Sequence, residues 1–170
     1  LLCFKIFIIN MSWKKELEEL RKRAELAKEM GGIERIAKHY AQGRLTVRER
    51  IDLLLDSGTF NETGEITGKV TYDNTGEIKE FIPGNFIFGR GLVSGQEVLV
   101  AGDDFTVRGG AADARIGNKF LYSLKMAENL KIPLVNLVDG SGGGGSVKSL
   151  ETMGATYVPA NPGFEKIVRL

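Results

Sequence analysis

Ile132-Pro133-Leu134-Val135-Asn136-Leu137-Val138-Asp139-Gly140-Ser141-Gly142-Gly143-Gly144-Gly145-Ser146 joins an apolar run directly to a glycine loop. The apolar part reads as a buried strand, and Val147 to Met153 continues the loop with a helical turn. Glycine permits positive φ and close backbone approach but weakens ordinary structure, so a run of glycines at a strand end needs a reason. A flexible linker would separate two finished units, whereas here a strand precedes and a helix follows. A tight turn needs one or two glycines. Gly140, Gly142 and Gly145 fit G-x-G-x-x-G literally, but a dinucleotide site also wants an acidic residue about 20 positions on, at the end of a strand. Glu165 falls in a helical pattern instead, and Val147 occupies the place where a Walker loop requires glycine before Lys148-Ser149. A loop that presents backbone N–H donors to a ligand is the reading that uses the whole run.

The 170 residues are 42% hydrophobic and 26% charged, enough for a folded domain with a sizeable core. With 23 basic and 22 acidic residues the net charge is +1, so the total gives no reason to expect a nucleic-acid partner. The single cysteine, Cys3, makes no internal disulfide, and the composition suits a reducing compartment, with the cytoplasm as the default. Leu1 to Asn10 is apolar but too short to span a bilayer and lacks the flanks of a signal peptide. Met11-Ser12 reads as a start, leaving residues 1–10 as an upstream tail. No membrane segment and no metal site are expected. The apolar spacing of Gly163 to Leu170 is helical yet uncapped, as in a piece of a longer protein.

The front of the chain is helical. Leu17, Leu20, Ala24 and Leu26 place one amphipathic helix between Trp13 and Met30, with Ser12 as N-cap and Gly31-Gly32 as stop. A second helix runs from Ile33 to Gln42. Thr46-Val47-Arg48-Glu49 is a capping box opening a third through Leu55. Arg44, Arg48 and Arg50 read as a solvated or intersubunit face, and His39 as a surface or interface histidine. After Phe60 the texture becomes strand-like, in Ile66–Tyr72, Phe86–Val93 and Glu97–Gly102, with Ser94-Gly95 as a two-residue hairpin turn. Tyr72 to Pro83 is an exposed loop or hairpin. Arg108-Gly109-Gly110-Ala111 then precedes a helix from Ala112 to Lys131 with Ile116, Phe120, Leu124, Ala127 and Leu130 on one face; its Lys119 and Lys125 read as solvent-facing. Gly-Gly at two strand exits, each before a helix, points to a layered α/β fold whose strand ends line one cleft. The division is a tail at 1–10, a helical segment at 11–58 and an α/β portion at 59–170.

Four strings carry a resemblance: Gly43 to Asp56 (GRLTVRERIDLLLD), Gly89 to Gly95 (GRGLVSG), Asp104 to Gly110 (DFTVRGG) and Ile132 to Gly143. From about Gly31 onward the chain resembles the carboxyltransferase subunits of biotin-dependent acyl-CoA carboxylases, of the propionyl-CoA carboxylase β type. The resemblance implies a crotonase-like (ClpP/crotonase) fold of ββα repeats, here the N-terminal portion. It implies an acyl-CoA whose enolate is stabilised for carboxyl transfer from carboxybiotin, with biotin itself taking the α proton. Preorganised N–H donors about 2.7–3.1 Å from the oxyanion suit that chemistry. The family's Asp-Ser-Gly-Gly-Ala-Arg maps onto Asp139, Ser141, Gly142, Gly143 and Gly144, with Gly140 inserted and the arginine replaced. Gly143 and Gly144 are the expected oxyanion donors, with Ser141 and Gly142 beside them. Arg108, Gly109, Gly110 and Ala111 are the expected neighbouring wall of the CoA pocket, Arg108 standing open between a phosphate contact and a surface charge.

The resemblance further implies a biotin carboxyl carrier domain and a biotin carboxylase as partners, and a hexameric core. The second oxyanion donor is expected past Leu170, so the isolated chain is expected to be inactive. Three alternatives stay open: a truncated CoA-binding or assembly module, a biotin-dependent decarboxylase running the reverse transfer, and a nucleotide-binding domain.

Overall fold

The computed structural model describes residues 13–111, 118–140, 150–151 and 154. Helix α1 is Lys14–Lys28, α2 is Ile33–Ala41 and α3 is Val47–Leu54. Trp13, not Ser12, is the N-cap of α1, and it makes no side-chain cap. At α3 the capping box forms as expected: Thr46 accepts from the Glu49 amide at 3.3 Å, and Glu49 accepts from the Thr46 amide at 2.8 Å.

Among the described residues six strands follow: β1 (Asn61–Glu62), β2 (Gly68–Tyr72), β3 (Ile78–Pro83), β4 (Phe86–Val93), β5 (Gln96–Asp103) and, after helix α4 (Lys119–Leu130), β6 (Leu134–Leu137). They make a four-stranded sheet in the order β1-β4-β5-β6 and a separate antiparallel pair, β2-β3, so the polar stretch from Tyr72 to Pro83 is a hairpin. Strands β4 and β5 pair antiparallel in the register Val93↔Gln96 through Phe86↔Asp103. Ser94 and Gly95, both at positive φ (50° and 76°), make the turn expected of them. Strand β6 pairs parallel with β5, Leu99 opposite Leu134, which requires the intervening crossover that α4 supplies.

Both faces of the central sheet are covered. Alternation along β4 and β5 sends Ile87, Val98 and Val100 to one face, where they pack on Val47, Ile51 and Leu55 of the α3 region. Phe86, Phe88, Leu99 and Ala101 go to the other face, against Ala127, with Phe120 and Met126 packed alongside. Burial on both sides explains why these strands read as near-continuous apolar runs. The expected apolar stripe of α4 is narrower than its sequence spacing: Leu124 and Ala127 are buried, but Leu130 is 45% exposed. Lys119, expected in solvent, is buried instead. Its Nζ donates to the Gly64 carbonyl at 3.1 Å and lies 3.7 Å from Glu62, which Arg48 also meets at 2.8 Å. Lys125 is exposed as expected.

Candidate functional site

Parallel pairing of β5 with β6 brings their C-terminal ends side by side, and the two glycine segments leave the sheet there. Strand β5 ends at Asp103, and Arg108–Gly110 forms a single 3-10 turn, with Gly109 at φ 63° and Gly110 at φ 64°. Strand β6 runs out through Val138 and Asp139 to Gly140. The exits touch: a Cβ on Gly110 would sit 3.0 Å from the Gly140 Cα and 3.1 Å from the Asp139 carbonyl oxygen, and one on Gly140 would sit 3.0 Å from the Gly110 oxygen. Both approaches are tighter than ordinary van der Waals contact, and Gly110 also holds a positive φ, so glycine suits both positions. Ser141, Gly142, Gly143, Gly144 and Ile116 lie outside the described residues. Of the expected site residues, the structure brings together Arg108, Gly109, Gly110 and Ala111 with the start of the glycine loop.

The β5 exit is fixed by a buried polar chain. Asp104, 1% exposed, accepts from the Thr106 amide at 2.9 Å and the Thr106 hydroxyl at 2.6 Å. Burial pushes the Asp104 carboxyl above its usual range, and the Thr106 hydrogen bonds oppose that rise. Thr106 Oγ1 also accepts from the Gly31 amide at 2.9 Å, tying the α1–α2 turn to the strand end. The side chain of Asn85, fully buried, donates through Nδ2 to the Ala111 carbonyl at 2.8 Å, and the Asn85 backbone carbonyl accepts from the Asp104 amide at 2.9 Å.

Asp139 gathers the basic residues of the helical front. Arg44 donates to its Oδ1, Arg50 lies 3.8 Å from Oδ2, and His39 Nε2 lies 4.0 Å from Oδ2. His39 is therefore not a surface histidine: it is 4% exposed, shares a hydrogen-bond distance of 3.1 Å with the Leu45 carbonyl and packs its ring 5.8 Å from that of Phe105. The Arg44 guanidinium covers the same Phe105 ring at 4.4 Å. Arg44 and Arg50 thus hold the start of the loop rather than forming a solvated face, and Arg48 is engaged by Glu62. The sequence reading missed this cluster. Its signal was an aspartate at the strand exit together with two arginines six residues apart, Arg44 before α3 and Arg50 on it, but the pairing exists only once β6 lies beside β5.

Clefts flank the junction. One, of about 400 Å³, is lined by Gly43, Arg44, Leu45, Arg50, Val138 and Asp139. Another, of about 290 Å³, lies between α2 and the segment from Phe105 to Gly109. Among the described residues no helix is long and apolar enough to cross a membrane, and no group of three or more His, Cys, Asp or Glu is placed to hold a metal ion.

The molecule is a layered α/β fold in which glycine segments meet at adjacent strand exits, the candidate site. The sequence profile described as the carboxyl transferase domain matches residues 38–160, from within α2 through the glycine loop. The chain belongs to this family. It is 36% identical over 129 residues to the methylmalonyl-CoA decarboxylase α subunit of Propionigenium modestum, covering 75% of this chain and 25% of that protein. It is 36% identical over 135 residues to the propionyl-CoA carboxylase carboxyltransferase subunit of Haloferax mediterranei, covering 78% and 26%. Among solved structures it resembles transcarboxylase 12S, a hexamer with methylmalonyl-CoA and methylmalonic acid bound, with a TM-score of 0.64 and 29% identity over 84% of this chain and 28% of that one. The fold is the crotonase-like one shared with that protein. The chain spans about a quarter of the length of the curated relatives it matches.

Proposed function

We propose that this chain is the N-terminal portion of a biotin-dependent acyl-CoA carboxyltransferase, binding acyl-CoA and stabilising its enolate at the junction of the two glycine segments. The observation that carries this reading is the backbone contact between Gly110 and Gly140 at adjacent strand exits, in a chain of the carboxyl transferase domain family. A thioester enolate places negative charge on one oxygen, and fixed backbone N–H donors stabilise it without reorganising during the reaction. The amides of Gly143 and Gly144 are assigned that role, with Ser141 and Gly142 beside them. Arg108 to Ala111 supply the facing wall.

In this reading biotin, carried on a partner domain, supplies the carboxyl group as carboxybiotin. The chain's own part is to bind, orient and polarise the acyl group. Asp139, the carboxylate beside Gly140, is engaged by Arg44 and Arg50, an arrangement that suits anchoring better than proton transfer. This agrees with a reaction whose α proton leaves to the carboxyl carrier. A biotin carboxyl carrier domain, a biotin carboxylase and a homo-oligomeric core are the partners the reading implies, in the cytoplasm.

The similarity to a methylmalonyl-CoA decarboxylase α subunit favours a second direction, in which the same site receives a carboxylated acyl-CoA and passes its carboxyl group to biotin. Calorimetric titration with propionyl-CoA, acetyl-CoA, methylmalonyl-CoA, NAD and ATP tests the assignment. Binding of the CoA thioesters over NAD and ATP is expected. Preference for NAD, or no CoA binding by a polypeptide extended to the length of the relatives, would overturn it.

A further inference from the structure

Trp13, Leu17, Leu20, Ala24 and Ala27 recur along α1 at alternating intervals of four and three, the spacing that gives a helix an apolar seam for a second helix. The far half of that seam turns into the molecule: α1 lies against β3, Ala27 is buried and Ala24 is half-buried. The near half does not. Trp13, Leu17 and Leu20 are 64%, 50% and 43% exposed, so three large apolar side chains stand in water on one helical face. Single exposed apolar residues are ordinary, but a contiguous row marks a surface that meets something. The β2–β3 hairpin does not cover it, because Lys22, which reaches Glu77 of the hairpin at 3.8 Å, stands roughly opposite Trp13 at about 100° per residue.

The charges beside the row select the occupant. With Leu17 at heptad position a and Trp13 and Leu20 at d, Glu16 and Arg21 take the flanking positions g and e. Among the described residues neither lies within ion-pair distance of an opposite charge, whereas Lys14, Lys22, Arg23 and Lys28 each meet a carboxylate of their own chain. Glu16 and Arg21 stand on opposite flanks of the row and do not reach each other. In a parallel pair of helices the g position of one copy faces the following e position of the other, so Glu16 meets Arg21 of a second copy, twice by symmetry. An antiparallel pair would set Arg21 against Lys14 instead. We propose that the exposed half of α1 is a self-association surface, pairing in parallel with α1 of a second copy of this chain through Trp13, Leu17 and Leu20. Beyond Leu20 each helix returns to its own β3, which limits the contact to about two turns. That is small beside the roughly 1,200–2,000 Å² of a stable interface, so the pairing is reversible and depends on concentration. Helix α1 precedes residues 38–160, which the carboxyl transferase profile matches, and the pairing stands whether or not the glycine junction is a carboxyltransferase site.

The test is sedimentation of the 170-residue chain over a range of concentrations, read together with the emission of Trp13, its only tryptophan. Wild type should pass from monomer to dimer as concentration rises, and Trp13 emission should move to the blue over the same range. Leu17→Gln/Leu20→Gln changes two exposed side chains, so it should melt at the wild-type temperature and weaken association roughly tenfold or more. Glu16→Lys and Arg21→Glu should each weaken it, and the two together should restore it. A monomer at every concentration, or association indifferent to the leucine pair, would overturn the proposal. So would Arg21→Glu strengthening the dimer, since that is the mark of antiparallel pairing. Blue emission that dilution leaves unchanged, without association, would overturn it in favour of the chain's own first twelve residues as the cover of the row.

Discussion

Asp139 occupies the last position before the glycines, and its partners come from a part of the chain remote in sequence. Replacing it with asparagine keeps the shape but removes the charge that Arg44 and Arg50 share. The loss should be about 1 kcal/mol. That is less than the roughly 1.5–3 kcal/mol of a charged hydrogen bond, because the Arg44 side chain is 33% exposed and solvent screens the pair. Urea denaturation should show a lower midpoint at an unchanged m-value; an unchanged midpoint would remove Asp139 as an anchor. Gly110→Ala is a sharper probe of the junction. Alanine at φ 64° is strained, and its Cβ has only 3.0 Å to the Gly140 Cα. A cost of about 1–2 kcal/mol is expected from the backbone conformation alone. Amide chemical shifts of Asp139 and Gly140 should move while those of β4 stay in place.

At the scale of elements, α3 depends on a local device and α4 on a long-range one. Thr46 is buried and caps α3 reciprocally with Glu49, so Thr46→Ala should destabilise the chain by about 1 kcal/mol, read as a lower thermal midpoint. Lys119, at the first turn of α4, has its ammonium pushed to lower pKa by burial, with Glu62 opposing the shift. The native state then releases this proton before the unfolded chain does. Between the lowered folded pKa and the ordinary lysine value of about 10.4 the unfolded state binds more protons, so this group makes stability rise as pH increases. Lys119→Met should flatten that rise in a comparison of melting midpoints across the alkaline range. The same contrast explains what could be read beforehand. The β4–β5 hairpin was legible because alternation and a two-residue turn are local, and so was the capping box. His39 and Lys119 were misread because their burial is imposed by Phe105, Glu62 and Gly64, and no periodicity in α2 or α4 announces those neighbours. At the site, the glycine segments and Arg108 to Ala111 stood out as strand exits. Their mutual contact, and the gathering of Arg44 and Arg50 on Asp139, needed the parallel pairing of β6 with β5.

For the molecule as a whole, the two sheets differ in what holds them. The central sheet is covered by α3 on one face and α4 on the other, with Leu99 and Val100 fully buried at its centre. Among the described residues the β2–β3 pair has no hydrogen-bonded strand neighbour beyond itself, and it leans on α1. There Tyr72 donates to Glu19 at 2.7 Å and Lys22 lies 3.8 Å from Glu77, both in exposed surroundings. Exposed pairs of this kind contribute little, so the hairpin should open locally without unfolding the core. Hydrogen exchange should therefore show the amides of β4 and β5 protected to near the global unfolding free energy, and those of β2 and β3 exchanging much earlier. Glu19→Ala removes the carboxylate that accepts from both Tyr72 and Arg23. It should speed exchange in the hairpin while leaving β5 unchanged, because β5 is paired on both sides in the central sheet and packed on both faces. A parallel loss of protection in β5 would show instead that hairpin and site belong to one cooperative unit.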